Sequence, residues 1–193
     1  MNLSYLSIAA LRRELLREPC MQVSHQPNVV CEAVGMYGAP WPPIPLVDYR
    51  LAVAKEILLR GAYADAVGSD ILDSPNAARA YFQLALADLK YEAFLVAYLD
   101  AGNRVIAIEE AFRGTTTCTY VHPKEIARKA VLLGAFGIIA CHQHPAGDNR
   151  PSRADETLSS AIKSALALLD VKFLDHLIYG NGKFGSMAEL GYM

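Results

Sequence analysis

A chain of 193 residues with 53% hydrophobic and 20% charged residues can bury one sizeable core and is too apolar to stay disordered. Its formal net charge of −2 and pI of about 6.2 are not the footprint of a protein living on nucleic-acid phosphates, although net charge does not report distribution. Cys20, Cys31, Cys118 and Cys141 form no C-x-x-C pair, which argues against a cysteine zinc cage and suits reduced thiols of a cytosolic protein.

The opening MNLSYLSIAALRRELLREP lacks a basic stretch followed by an apolar one, so no signal peptide is expected. No run of about 18 apolar residues occurs, so no membrane span is expected and the cytoplasm is the expected location. Leu6, Ile8, Leu11, Leu15 and Leu16 recur at helical spacing, with Arg12, Arg13 and Glu14 between them, which predicts a helix over 4–17. Residues 20–45 look irregular, and APWPPIP at 39–45 reads as a tether. A second helix is expected over 48–61, ended by Gly61. A loop over 62–73 leads to a third helix, opened by Ser74-Pro75 and running to about residue 87.

From Glu92 the period changes. EAFLVAYLD reads as a buried strand, Asp100-Ala-Gly-Asn as a turn, and RVIAIEEAFRG as the returning strand of a hairpin. His122-Pro123 opens a helix over about 124–133, with Gly134 near its end. FGIIACHQHP is a short apolar run and is expected as another buried strand. AGDNRPS is a loop, Ser152 begins a long helix to about residue 169, and VKFLDHLIYG is a further strand before a GNGK turn and a short last element. The order helix, strand, strand, helix, strand, helix, strand predicts an α/β sandwich with a mixed sheet.

His142 and His144 stand two residues apart at the end of an apolar strand, so both imidazoles face the same side. Pro145 would end the strand there and expose the pair. Asp155 follows eleven residues after His144, on the helical stripe that carries Ile162 and Leu166. A carboxylate on that stripe needs a partner or a metal. Two imidazoles and one carboxylate leave a fourth position open, as in a catalytic zinc site. Each residue also has a plainer reading. Ser152-x-x-Asp155 is a capping box in its own right. A His-x-His pair can sit at a surface or in a core. Asp148, a rival ligand, lies in a Gly-Asp-Asn turn. Cys141 alternates away from the histidines and is expected in the core. His176 reads as a partner behind the site or as a structural residue of the last strand, His122 as structural, and His25 lies in the irregular region.

The segment CHQHPAGDNRPSRAD resembles the signature of the JAB/MPN metalloenzymes: His-x-His, seven residues, Ser, two residues, Asp. EAFLVAYLDAGNRVI, FRGT, VHPKEIARKA, the histidine strand and FLDHLIYG are similar, in the same order, to the RadC branch, over about residues 48–193. Gln143 and Ala146 depart from the usual His-Asn-His-Pro-Ser-Gly of that branch, at positions beside the ligands rather than on them. The resemblance implies a cytidine-deaminase-like, JAB/MPN α-β-α sandwich with a short helical N-terminal extension. The extension would be 1–47, the RadC-like domain 48–193 and the catalytic core about 75–193. It implies one Zn2+ per chain held by His142, His144 and Asp155, with Glu92 as acid/base and Ser152 as donor to the oxyanion. Read from the residues alone, Glu92 opens an apolar strand and could be a solvated strand end, and Glu109 and Glu110 are alternatives.

RadC proteins usually carry a helix-hairpin-helix region, and residues 1–47 show no Gly-x-Gly hairpin with basic flanks. The leading expectation is a zinc metallopeptidase or isopeptidase acting on a peptide or protein. The alternatives are a DNA-repair-associated nuclease or accessory protein, which the charge does not support, and a non-catalytic scaffold on the same fold. No membrane partner is expected, and a homodimer is compatible with the sequence.

Overall fold

The computed structural model describes residues 6–16, 46–70, 75–87, 89, 91–114, 121–144 and 146–193. The tether at 39–45, the start of the third helix at Ser74, Pro145, His25, Cys20, Cys31 and Cys118 lie outside the described residues. In chain order the elements are α1 (Ile8–Leu16), α2 (Leu46–Ala66), α3 (Pro75–Leu86), β1 (Ala93–Leu99), β2 (Val105–Arg113), α4 (Pro123–Leu133), β3 (Gly137–Gln143), α5 (Arg153–Ala167), β4 (Lys172–Gly180) and β5 (Lys183–Ser186). The chain forms two compact units, Met1–Gly61 and Ala62–Met193. In the first, Leu11 and Val53 are fully buried, and the Arg60 guanidinium donates to the Leu6 carbonyl and to Glu56.

The second helix does not stop at Gly61, as the sequence reading expects. It runs on to Ala66. Gly61 lacks the left-handed backbone of a helix-ending glycine, which Gly68 adopts instead at φ 81°. A glycine inside a helix costs only about 1 kcal/mol, and the added turn buries Ala66 in the core with Phe82, Leu95 and Leu99. Within the expected loop, Val67 and Asp70 bridge to Val105 and Arg104.

The sheet order is β2-β1-β3-β4-β5. β1 pairs antiparallel with β2 and β3, β3 runs parallel to β4, and β4 pairs antiparallel with β5. Only the parallel pair needs a crossover between neighbouring strands, and α5 supplies it. β1 and β3 are buried along their whole length, which is why both read as unbroken apolar runs. Alternation splits their side chains between two cores. Phe94, Val96, Tyr98, Ile138 and Ala140 pack with Ile126 of α4 and Ile162 and Leu166 of α5. Leu95, Ala97, Leu99, Ile139 and Cys141 pack with Ala78, Phe82 and Leu86 of α3. The result is the α/β sandwich with a mixed sheet that the element order predicts, in the α-β-α layering that the JAB/MPN resemblance implies.

Local chemistry fixes the helix ends. Pro123 opens α4 behind an extended His122, and Gly134 closes it at φ 63°, donating to the Ala130 and Val131 carbonyls. α5 starts with a complete capping box. Among the described residues, no helix is long and apolar enough to cross a membrane.

Candidate metal centre

β3 delivers His142 from its last turn of pleat, and His144 follows just beyond the strand, held by its N–H to the Tyr179 carbonyl at 3.0 Å. Their rings face the same side, with Nε2 to Nε2 at 3.0 Å. The capping box brings Asp155 to them from the first turn of α5. Asp155 Oδ1 lies 3.1 Å from His142 Nε2, and Oδ2 lies 3.3 Å from His144 Nε2. One ligand atom from each of the three residues lies within 4.8 Å of the other two. His142 and Asp155 are buried and His144 is half-buried, so the cluster has one side open.

Proton accounting tests whether this cluster suits a cation. His144 Nδ1 stands 2.8 Å from the Asp148 carbonyl oxygen. A carbonyl only accepts, so the proton of a neutral His144 sits on Nδ1 and its Nε2 presents a lone pair. That lone pair meets His142 Nε2 and a carboxylate. Three electron-rich groups converging in a buried site repel one another unless a proton or a metal ion lies between them. Nitrogen, nitrogen and carboxylate oxygen form a donor set suited to a borderline cation. With a proton rather than a cation between them, the imidazoles and the carboxylate hold one another in their charged forms. Burial alone would raise the Asp155 carboxyl, yet hydrogen bonds from His142 and His144, the His142 charge and the Ser152 hydroxyl hold it far below the usual carboxylate range. The hydrogen bond to Asp155 raises His144 above the ordinary imidazole value against the opposing effect of its burial, and Glu92 adds to the rise.

Glu92 thus lies within electrostatic reach of His144, and the sheet register shows why. Phe94 faces His142 across the β1–β3 pair, so continuing by two residues sets Glu92 opposite His144 on the same face. Its carbonyl accepts from Gly114 N–H at 2.8 Å, which carries the β1–β2 ladder past the strand end. The alternatives are engaged elsewhere. Glu109 accepts from the Tyr98 hydroxyl at 3.2 Å and pairs with Lys129 at 2.9 Å, and Glu110 pairs with Arg113 at 2.7 Å. Ser152 accepts from Asp155 N–H at 3.3 Å, while its own hydroxyl donates to Asp155 Oδ2 at 2.6 Å and its N–H donates to the same oxygen at 2.7 Å. The capping and metal readings of Asp155 are therefore compatible: the cap aims the carboxylate. Asp148 is a turn residue, its side chain clasped by Arg150. Cys141 faces the α3 core, where burial pushes its thiol well up and leaves it protonated.

The RadC-like JAB domain matches residues 72–192, more than half of the chain. The chain belongs to the RadC-like JAB domain family. Its curated relatives include a UPF0758 protein of Acidovorax, 49% identical over 122 residues, which are 63% of this chain and 51% of the relative. A UPF0758 protein of Nitrosomonas eutropha is 43% identical over 142 residues, covering 74% of this chain and 63% of the relative. One of Thiobacillus denitrificans is 41% identical over 167 residues, covering 86% and 75%. The chain thus spans about half the length of the first of these relatives.

Within this RadC-like JAB domain, the two readings of His176 resolve in favour of a partner behind the site, and sequence reasoning missed a second buried polar residue there, Ser159. His176 Nε2 lies 2.8 Å from His142 Nδ1, and Ser159 Oγ lies 2.7 Å from His176 Nδ1. Both residues are buried, and burial pushes His176 well below the ordinary imidazole value. A signal for Ser159 was present: it shares the α5 stripe with Asp155, Ile162 and Leu166, and a polar residue on an apolar stripe asks for a partner. The His122 ring packs edge-on against Phe112 at 6.1 Å, and its carbonyl accepts from Glu125 N–H in the first turn of α4.

Proposed function

We propose that this chain is a zinc-dependent metallohydrolase, most specifically a metallopeptidase or isopeptidase, with His142, His144 and Asp155 as zinc ligands. In this reading 48–193 is the RadC-like domain, about 75–193 its catalytic core, and 1–47 an appended extension. The observation that carries it is the convergence of His142 Nε2, His144 Nε2 and the Asp155 carboxylate while the Asp148 carbonyl holds the far nitrogen of His144. A bound zinc supplies Lewis acidity, bringing a coordinated water toward a pKa of ~7 and polarising a carbonyl. Glu92, opposite His144, takes the proton of the attacking water on its carboxylate and returns it to the leaving nitrogen. Ser152 keeps Asp155 aimed through its hydroxyl, and the same O–H turns toward the substrate oxyanion as negative charge develops there. The substrate is then a peptide or a lysine-linked isopeptide.

The test is cleavage of mixed peptide and isopeptide substrates by zinc-loaded protein, followed by mass spectrometry. Glu92→Gln keeps the size of the side chain and removes the base. It is expected to lower the cleavage rate by roughly 10²–10⁴-fold while zinc content stays as in wild type. Cleavage by the variant at the wild-type rate would remove Glu92 from the mechanism. No cleavage of any substrate by the zinc-loaded wild type would favour a scaffold on the same fold.

A further inference from the structure

The geometry points to a positioning role for His176: backed by Ser159, it sets the tautomer of His142 and so frees the His142 Nε2 lone pair for the metal. This inference rests on the ligand set proposed above.

The placement of His176 depends on an irregularity in β4. The β3–β4 register pairs Ile138 with Phe173 but Ile139 with Asp175, so Leu174 is an extra residue. Phe173 packs on the α4–α5 side of the sheet. Strict alternation from Phe173 would send His176 to the α3 side, away from His142. The bulge reverses the face, as bulges do where a side chain must be re-aimed. His176 then lies opposite Ala140, with its ring 4.8 Å from that of His142 and 5.4 Å from that of Phe94, centroid to centroid. Asp175 secures the bulge. Its carboxylate accepts from His176 N–H at 2.7 Å, Ala188 N–H at 3.0 Å and the Ser186 hydroxyl at 2.6 Å.

The hydrogen-bond directions follow from one end of the chain to the other. Met187 Sδ lies 3.4 Å from Ser159 Oγ and can only accept. The relay takes the Ser159 hydroxyl as donor to sulfur and as acceptor from His176 Nδ1–H at 2.7 Å, the direction that leaves His142 Nε2 free for the metal. A neutral His176 with its proton on Nδ1 presents a bare Nε2. That nitrogen accepts from His142 Nδ1–H, which leaves the proton off His142 Nε2. His144 needs no such relay, because its Nδ1 faces a carbonyl that can only accept. The two ligand rings are thus oriented by different means, and His142 alone depends on a partner that could take either tautomer.

The test measures zinc dissociation constants by competition with a chromophoric chelator at fixed pH. Long-range proton–nitrogen NMR of the His142 ring is recorded on the same samples. His176→Phe keeps a ring and removes the acceptor, and it is expected to weaken zinc binding by roughly 10–100-fold. Ser159→Ala removes one oxygen, serves if His176→Phe does not fold, and is expected to weaken binding in the same direction by less. The double variant is expected to be no weaker than His176→Phe, because the relay is already broken. The NMR should show Nδ1–H on His142 in wild type and a mixed tautomer in Ser159→Ala. Unchanged affinity and tautomer in both variants, with zinc bound by wild type, would overturn the role of His176. A wild type that binds no zinc would instead sink the ligand set. In that case Nε2–H on His142 in the metal-free protein would overturn the relay as well.

Discussion

Replacing Asp155 with alanine is expected to remove measurable zinc binding while leaving the domain folded. Asp155 is the only carboxylate in the converging group of His142, His144 and Asp155. It is also the side chain whose oxygen receives both the Ser152 N–H and the Ser152 hydroxyl. Losing its half of the capping box costs α5 on the order of 1 kcal/mol, which a fold with two packed faces tolerates. Losing a direct ligand should cost more than the ~10–100-fold in affinity attributed to groups that merely orient ligands. Thermal shift separates the two effects. Zinc at a hundred times its dissociation constant stabilises the folded wild type by about 2.7 kcal/mol, which for a chain of this size raises Tm by roughly 5–10 °C. Asp155→Ala should start a few degrees lower and gain nothing on zinc addition. A zinc-dependent rise equal to that of wild type would remove Asp155 from the ligand set.

Gly185→Ala is expected to weaken the same site without touching a ligand. A Cβ at this position would lie 2.1 Å from the Asn149 carbonyl oxygen, and one at Gly180 would lie 2.6 Å from the Gly147 oxygen and 2.7 Å from the Asp148 carbonyl carbon. The obstacle in each case is backbone, so the loop between β3 and α5 must move outward, at a cost of about 1–3 kcal/mol. That loop presents the carbonyl that holds His144. Its displacement should lower zinc affinity by roughly 10–100-fold. Gly61→Ala is the control, since nothing lies within 4 Å of its added methyl and it sits in helix α2. Chelator competition on the three proteins checks this: wild-type affinity in Gly185→Ala would show that the loop does not support the site.

The parts of the site that follow from period and local chemistry were legible in the sequence. Two residues of spacing on a strand put His142 and His144 on one face, and helical spacing put Asp155 on the buried stripe of α5. The same alternation sent Cys141 to the opposite core. The capping box was readable because it is a contact between near neighbours. What stayed hidden depends on pairing between distant segments. The extra residue at Leu174 exists only relative to β3, and no local signal in VKFLDHLIYG marks it, so the side on which His176 lies could not be read. The tight approach of Gly180 and Gly185 to the loop is likewise visible only once β4 and β5 are seated against it. Gly61 misled for a related reason: a glycine that could end a helix was overridden by the burial of Ala66 five residues later.

If His142, His144 and Asp155 hold one metal ion, zinc per chain reads it out directly. Purified wild type and His144→Ala would be supplied with zinc, freed of excess by gel filtration and analysed by inductively coupled plasma mass spectrometry. About one zinc per wild-type chain is expected, and essentially none in the variant. No zinc in the wild type, or equal zinc in both proteins, would show that these side chains do not form the metal site.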